Sequence, residues 1–200
     1  MIVKIFNKWE TTGIEFRDPG IKEYISLSAV IAPTSGGRHA KTQFWKAKMS
    51  IVERLVNKLT VTGHLKEGRV HKRTSGRDTG KKITSYNSVK GAFEAIEAKT
   101  KENPIQVLIR AIENAAPIEE TTAFRQGGII ARKAVDLAPS RRLDLSLRFI
   151  SHGAGQRAFR SKATLSEALA AELISAANND NKTYSIQKKE ETERVAVGAR

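Results

Sequence analysis

A chain of 200 residues with 40% hydrophobic content can build one domain with a substantial core, which excludes wholesale disorder. It has no cysteine, excluding a disulfide framework and Cys-ligated zinc fingers, and no apolar run approaches the roughly 20 residues that span a bilayer. The net charge of +14 is uneven: residues 35–82 carry 13 Lys/Arg against 3 Asp/Glu and residues 139–162 carry 6 against 1, while the other segments are nearly balanced. Charge needed only for solubility would be spread out. Concentrated Lys and Arg make a local field that fits a polyanion, and nucleic acid is the commonest one. The apolar stretch at Met1–Phe6 is too short, and too soon broken by Lys4 and Lys8, for a signal peptide. The expectation is therefore a cytoplasmic protein with no membrane partner.

In chain order, residues 1–41 read as an irregular arm. Val3-Lys4-Ile5-Phe6 suits a short strand, Asp18-Pro19-Gly20 is a turn signal, and Ile25 to Pro33 is apolar and extended. A helical domain is expected over 42–200. Its first helix is predicted at 42–59 from the spacing of Phe44, Lys48, Ile51, Leu55 and Leu59. Residues 62–82 alternate glycine with Lys and Arg and read as a long cationic loop. Tyr86, Val89, Phe93 and Ile96 mark a second helix. Asn103-Pro104 starts a third, since Asn can cap the free amides and Pro at the first position loses no hydrogen bond.

The period then changes. Thr- and Phe-rich residues to Arg125, a Gly127-Gly128 turn and a β-branched run from Ile129 predict a β-hairpin at about residues 118–136. Pro139 opens a fourth helix with Leu143, Leu147, Ile150 and Ala154 on one face and Arg141, Arg148 and His152 on the other. Thr164-Leu165-Ser166-Glu167 is a capping box for a fifth. Residues 183–186 read as a short extended piece before a charged terminal helix from Lys188. The fold class is mainly α: about five to six helices, with one hairpin between the third and fourth, and an irregular N-terminal arm.

The candidate RNA contacts are Arg38, Lys41, Lys72, Arg73, Arg77, Lys81 and Lys82 in the first basic stretch, and Arg141, Arg142, Arg148, Arg157, Arg160 and Lys162 in the second. Lys offers a point charge to phosphate, whereas Arg forks onto its oxygens or stacks on a base. Only Asp144 is available locally to neutralise the second group, which favours an outside anion. Arg125, Gln126, Gly127, Gly128, Arg132 and Lys133 form a basic finger at the hairpin tip. The alternative to phosphate binding is a solvated charged surface. Trp9 and Trp45 could stack on bases, though Trp45 beside a helical stripe is expected to be partly buried. Aromatics are too few for a base-stacking sheet.

Chemistry finds no footing. None of His39, His64, His71 and His152 has the H-x-x-x-H spacing of paired metal ligands, Glu119 and Glu120 point to opposite strand faces, and no serine sits in a G-x-S-x-G elbow. No cofactor, metal site or catalytic residue is expected. Composition and pattern leave three readings: an RNA-binding structural protein, a free-standing DNA- or RNA-binding helical regulator, and, weakest, an RNA-processing enzyme.

Particular segments are familiar. Gly36-Gly37-Arg38-His39-Ala40-Lys41, Ile51-Val52-Glu53-Arg54-Leu55, Asn103 to Leu108, Ala111 to Pro117, Ala134 to Arg142, Ala158-Phe159-Arg160, Glu167 to Leu173 and Lys188 to Ala196 occur in order. With them the chain resembles the universal small-subunit ribosomal proteins of the S-seven family, in their archaeal and eukaryotic form. The resemblance implies a helical bundle with a hairpin between the third and fourth helices. It also implies binding to the 3′ major domain of small-subunit ribosomal RNA and nucleation of head assembly. The hairpin would lie at the subunit interface near the exit-site tRNA and the mRNA path, against a neighbouring ribosomal protein.

Overall fold

The structure, a computed structural model, describes residues 3–62 and 80–200. Among them are seven α-helices and one antiparallel hairpin. The helices are α1 (Pro19–Lys22), α2 (Ile51–Leu59), α3 (Lys82–Thr100), α4 (Pro104–Ala115), α5 (Pro139–Ala158), α6 (Leu165–Ala177) and α7 (Tyr184–Val197); the strands are β1 (Glu119–Gln126) and β2 (Ile129–Asp136). Single-turn α1 aside, the hairpin lies between the third and fourth helices, as the periodicity and the resemblance both predict.

Helix α6 sits at the centre, packed against α3, α4, α5 and α7. Its sequence is Leu- and Ala-rich on nearly every side, which suits a helix surrounded by others. Leu169, Ala170, Leu173 and Ala176 are fully buried, facing Phe93 and Ile96 of α3, Leu108 and Ile112 of α4, and Leu143, Leu147, Ile150 and Ala154 of α5 among the core residues. Each buried Leu, Ile or Phe removes roughly 1.5–3 kcal/mol of unfavourable hydration.

The helix starts follow local chemistry where the sequence provides it. Asn103 Oδ1 accepts from Ile105 N at 3.0 Å, with Pro104 at the first helical position. The capping box forms in full, Glu167 N donating to Thr164 Oγ1 and Thr164 N to Glu167 Oε2. The start of α7 is different. Residues 184–186 are its first turn, not an extended piece, and Thr183 provides no side-chain cap. The cap comes from α6: Glu172 Oε1 accepts from Ser185 N at 3.1 Å and from Ser185 Oγ at 3.0 Å. A carboxylate at a helix N-terminus satisfies a free amide and opposes the positive end of the dipole.

Two further expectations are corrected. The helix predicted at 42–59 is broken: a 3-10 turn at Trp45–Lys48 is followed by extended Met49, and α2 begins at Ile51. Ile51 N donates to Ser26 O at 3.0 Å, so the incoming arm occupies the position where a longer helix would run. Phe44, placed on the core stripe by its spacing, has φ +64° and is 68% exposed. Val3–Phe6 is not a strand either. Phe6 and Asn7 take left-handed φ of 52° and 63°, and Ile5 bridges Trp9 across the resulting turn. This folds Phe6 and Trp9 edge-on against Phe93, so Trp9 is a core residue and no base-stacking platform. Ile5, Phe6, Trp9, Ile21 and Ile25 of the irregular arm all join the core.

Gly153 of α5 lies against the Glu172 side chain of α6. A Cβ there would lie 2.3 Å from Glu172 Oε1 and 2.6 Å from its Cδ. Glu172 is fully buried and engaged with Ser185, so it has little freedom to retreat. Gly153→Ala is expected to cost about 1–3 kcal/mol, read as a fall in thermal midpoint of several degrees.

Candidate nucleic-acid interface

The packing of α2 on α5 joins the two basic stretches at one point, Asp144. Its Oδ2 accepts from Lys46 Nζ, and its Oδ1 accepts from Arg54 Nη2 at 3.1 Å with Lys58 Nζ at 3.9 Å. Arg54 is buried, and its Nη1 also donates to Tyr24 O at 3.0 Å. Burial works to raise the Asp144 carboxyl, but the Lys46 hydrogen bond and the charges of Lys58, Arg54 and Lys46 outweigh it and hold the group below the usual carboxylate range. Burial likewise pushes the Lys58 ammonium down. Asp144 opposes this, while the like charges of Lys46, Arg148 and Arg54 reinforce it. Three cations thus meet one carboxylate, and the cluster stays positive.

Arg38 and Lys41 are exposed beyond Gly36 and Gly37, whose φ of 61° and 81° only glycine adopts readily. This turn is tied down by Glu53 of α2, whose Oε1 accepts from Ser35 N at 2.8 Å and Ser35 Oγ at 3.0 Å. Lys82 Nζ reaches the same oxygen at 3.3 Å, so Lys82 serves an internal contact, while Lys81 is exposed. Lys72, Arg73 and Arg77 lie outside the described residues.

The second stretch was expected to have only Asp144 as a local carboxylate partner, yet the fold brings others from far along the chain. Arg141 forks onto Glu120, with Nε–Oε1 at 2.5 Å and Nη2–Oε2 at 2.9 Å. Arg142 is mostly sheltered. Its Nη2 meets Asp18 Oδ2 at 2.9 Å and its Nε donates to Pro117 O at 3.1 Å, tying α5 to the arm and the hairpin base. Arg157 Nε sits 3.0 Å from Glu172 Oε2. Burial pushes the Glu172 carboxyl up, opposed by the Ser185 bonds and Arg157. Arg160 and Lys162 are exposed, with the Arg160 guanidinium 5.3 Å from the centroid of the exposed Phe159 ring. His152, expected on the outer face of α5, is instead buried beside Tyr184 and Lys188 of α7.

At the hairpin tip Gly127 and Gly128 have φ of 57° and 87°, the pair of positive values that a tight two-residue turn needs. Arg125 pairs with Ile130 and Ala123 with Arg132, so Arg125, Ile130 and Arg132 share one face. Phe124 and Lys133 lie on the other, the Lys133 ammonium 5.7 Å from the Phe124 ring centroid. Gln126 closes the ladder opposite Ile129. All of Phe124, Arg125, Ile129, Ile130, Arg132 and Lys133 are exposed. The base is held by α7 and the C-terminus: Ile118 N donates to Glu193 Oε1 at 3.0 Å and Arg200 pairs with Glu119.

Sequence reading missed Lys46, Arg54 and Lys58. The one available signal was the isolation of Asp144 in a basic stretch, but nothing in the sequence links it to residues about ninety positions earlier. It also missed the exposure of Trp45, which is 40% exposed with Lys48 Nζ 5.4 Å from its ring centroid.

Comparison with known proteins identifies a family over most of the chain. The model of the family described as ribosomal protein S7p/S5e matches residues 21–200. The chain belongs to that family. It is 46% identical over 200 residues to the small ribosomal subunit protein uS7 of Nanoarchaeum equitans, covering all of both chains. It is also 46% identical over 199 residues to the uS7 protein of Methanosphaera stadtmanae, again across the full length of each. As a family member it is a structural ribosomal protein and not an enzyme.

The geometry separates neighbouring arginines by role. Arg142→Ala leaves Asp18 and the Pro117 carbonyl without their partner and is expected to destabilise the fold by roughly 1–3 kcal/mol in denaturant unfolding. Arg160→Ala, at an exposed position, should change stability by under about 0.5 kcal/mol.

Proposed function

We propose that this protein binds the 3′ major domain of small-subunit ribosomal RNA in the cytoplasm and nucleates assembly of the subunit head. The observation that supports the reading is the meeting of the two basic stretches at Asp144, where Lys46, Arg54 and Lys58 of the first converge on α5 of the second. A folded body with clustered cations suits folded RNA, because backbone charge supplies affinity and shape supplies register. Arg38, Lys41, Lys81, Arg148, Arg160 and Lys162 are the phosphate contacts best supported by their positions. Lys72, Arg73 and Arg77 belong to the same basic stretch. Lys82, Arg141, Arg142 and Arg157 hold the fold together while adding to its field.

The finger has a second role in this reading. Arg125 and Arg132 on one face suit the backbone of exit-site tRNA or mRNA. Phe124 and Ile129 on the other, with Lys133, suit a neighbouring small-subunit ribosomal protein. Two strands alone are marginal in water, so an exposed apolar tip gains stability from a partner.

The protein should co-sediment with small subunits and dissociate only at high salt, and its footprint should fall within the 3′ major domain. Arg160→Glu with Lys162→Glu is expected to flatten the salt dependence of binding by about two units of log–log slope, about one per lost phosphate contact. An unchanged slope would remove both residues from the interface.

A further inference from the structure

We propose that Asp144 is a positioning residue that holds Lys46 and Lys58 beside Arg148, one turn further along α5, as one preorganised RNA-phosphate site. The proposal rests on the RNA-binding reading above and deepens it. Lys46 lies in a 3-10 turn, Lys58 in the last turn of α2 and Arg148 in the middle of α5. Left to themselves, like charges on three separate elements would splay into solvent. Asp144 holds Lys46 by direct hydrogen bond and Lys58 at 3.9 Å, while buried Arg54 anchors Asp144 to α2 and, through Tyr24 O, to the arm.

One carboxylate cannot neutralise three cations. Lys46 and Lys58 remain 50% and 36% exposed as side chains, so their unused donors face outward. Lys46, Arg54 and Lys58 converge on a single carboxylate, and the like-charge repulsion among them is relieved by an anion of two or more negative charges placed above the cluster. Phe44 and Trp45 immediately precede Lys46 and are both exposed, which provides apolar faces beside the charge, as a nucleotide requires and a free inorganic anion does not.

The role predicts an effect opposite in sign to simple charge counting. Asp144→Asn raises the net charge by one, so a protein acting only as a diffuse cation would bind RNA as tightly or more tightly. With Asp144 as organiser, the full-length variant should bind a 3′ major-domain transcript about five- to tenfold more weakly, while its binding to heparin, an unstructured polyanion, holds or strengthens. Equal or tighter binding of the transcript by folded Asp144→Asn overturns the proposal.

Arg54 is buried against Asp144, so the variant could lose its fold. The double variant Lys58→Met with Arg148→Met, which leaves that pair intact, then decides the matter. Its salt slope on the transcript should fall by about two units, and an unchanged slope rejects the site. A wild-type protein without tight, salt-sensitive binding to this transcript would instead reject the RNA-binding reading itself, an outcome seen before any variant is compared.

Discussion

Like-charge repulsion is the constraint around which this molecule is organised. A chain with a net charge of +14 must pack many cations without their repulsion pulling the fold apart. Sheltered carboxylates meet that demand, each tying cations to structure. Glu53 gathers Lys82 and the Ser35 backbone, Asp144 gathers Lys46 and Arg54, and Glu172 gathers Arg157 and the start of α7. In each case the acid comes from one element and its partners from others, so the tie is also a tertiary contact. Removing one partner of a sheltered pair leaves the other charge uncompensated, which makes such ties strongly cooperative with the fold.

The same economy shapes the hairpin. Among the described residues its two strands have no other strand to join, and contacts at the base hold them. Arg141 on Glu120, Arg200 on Glu119 and Glu193 on the Ile118 amide fasten that base to α5, α7 and the C-terminus. The tip is left outside the core, with arginine on one face and an aromatic–apolar pair on the other. A rigid root and a free tip suit an element whose partners lie outside the chain.

Much of the bundle was legible because its signals are local. The Asn103-Pro104 start, the Thr164–Glu167 capping box, the Leu143-Leu147-Ile150 stripe and the double-glycine turn each encode their own geometry within a few residues. Misreadings occurred where a distant segment overrode the local pattern. Phe44 had the right spacing to extend α2, but the Ser26 backbone claimed the Ile51 amide. Residues 184–186 carried no cap of their own, but Glu172 supplied one. Arg142 and Arg157 looked unpartnered because Asp18 and Glu172 are far away in sequence.

The amino-acid order by itself determined the mainly helical class, the hairpin, the two basic stretches and the family resemblance, because propensity, periodicity and charge are properties of short segments. Only the tertiary structure decided which cations face outward and which hold the protein together. A charge acquires its role from the groups within a few ångströms of it, and in a folded chain those groups are set by packing rather than by sequence distance.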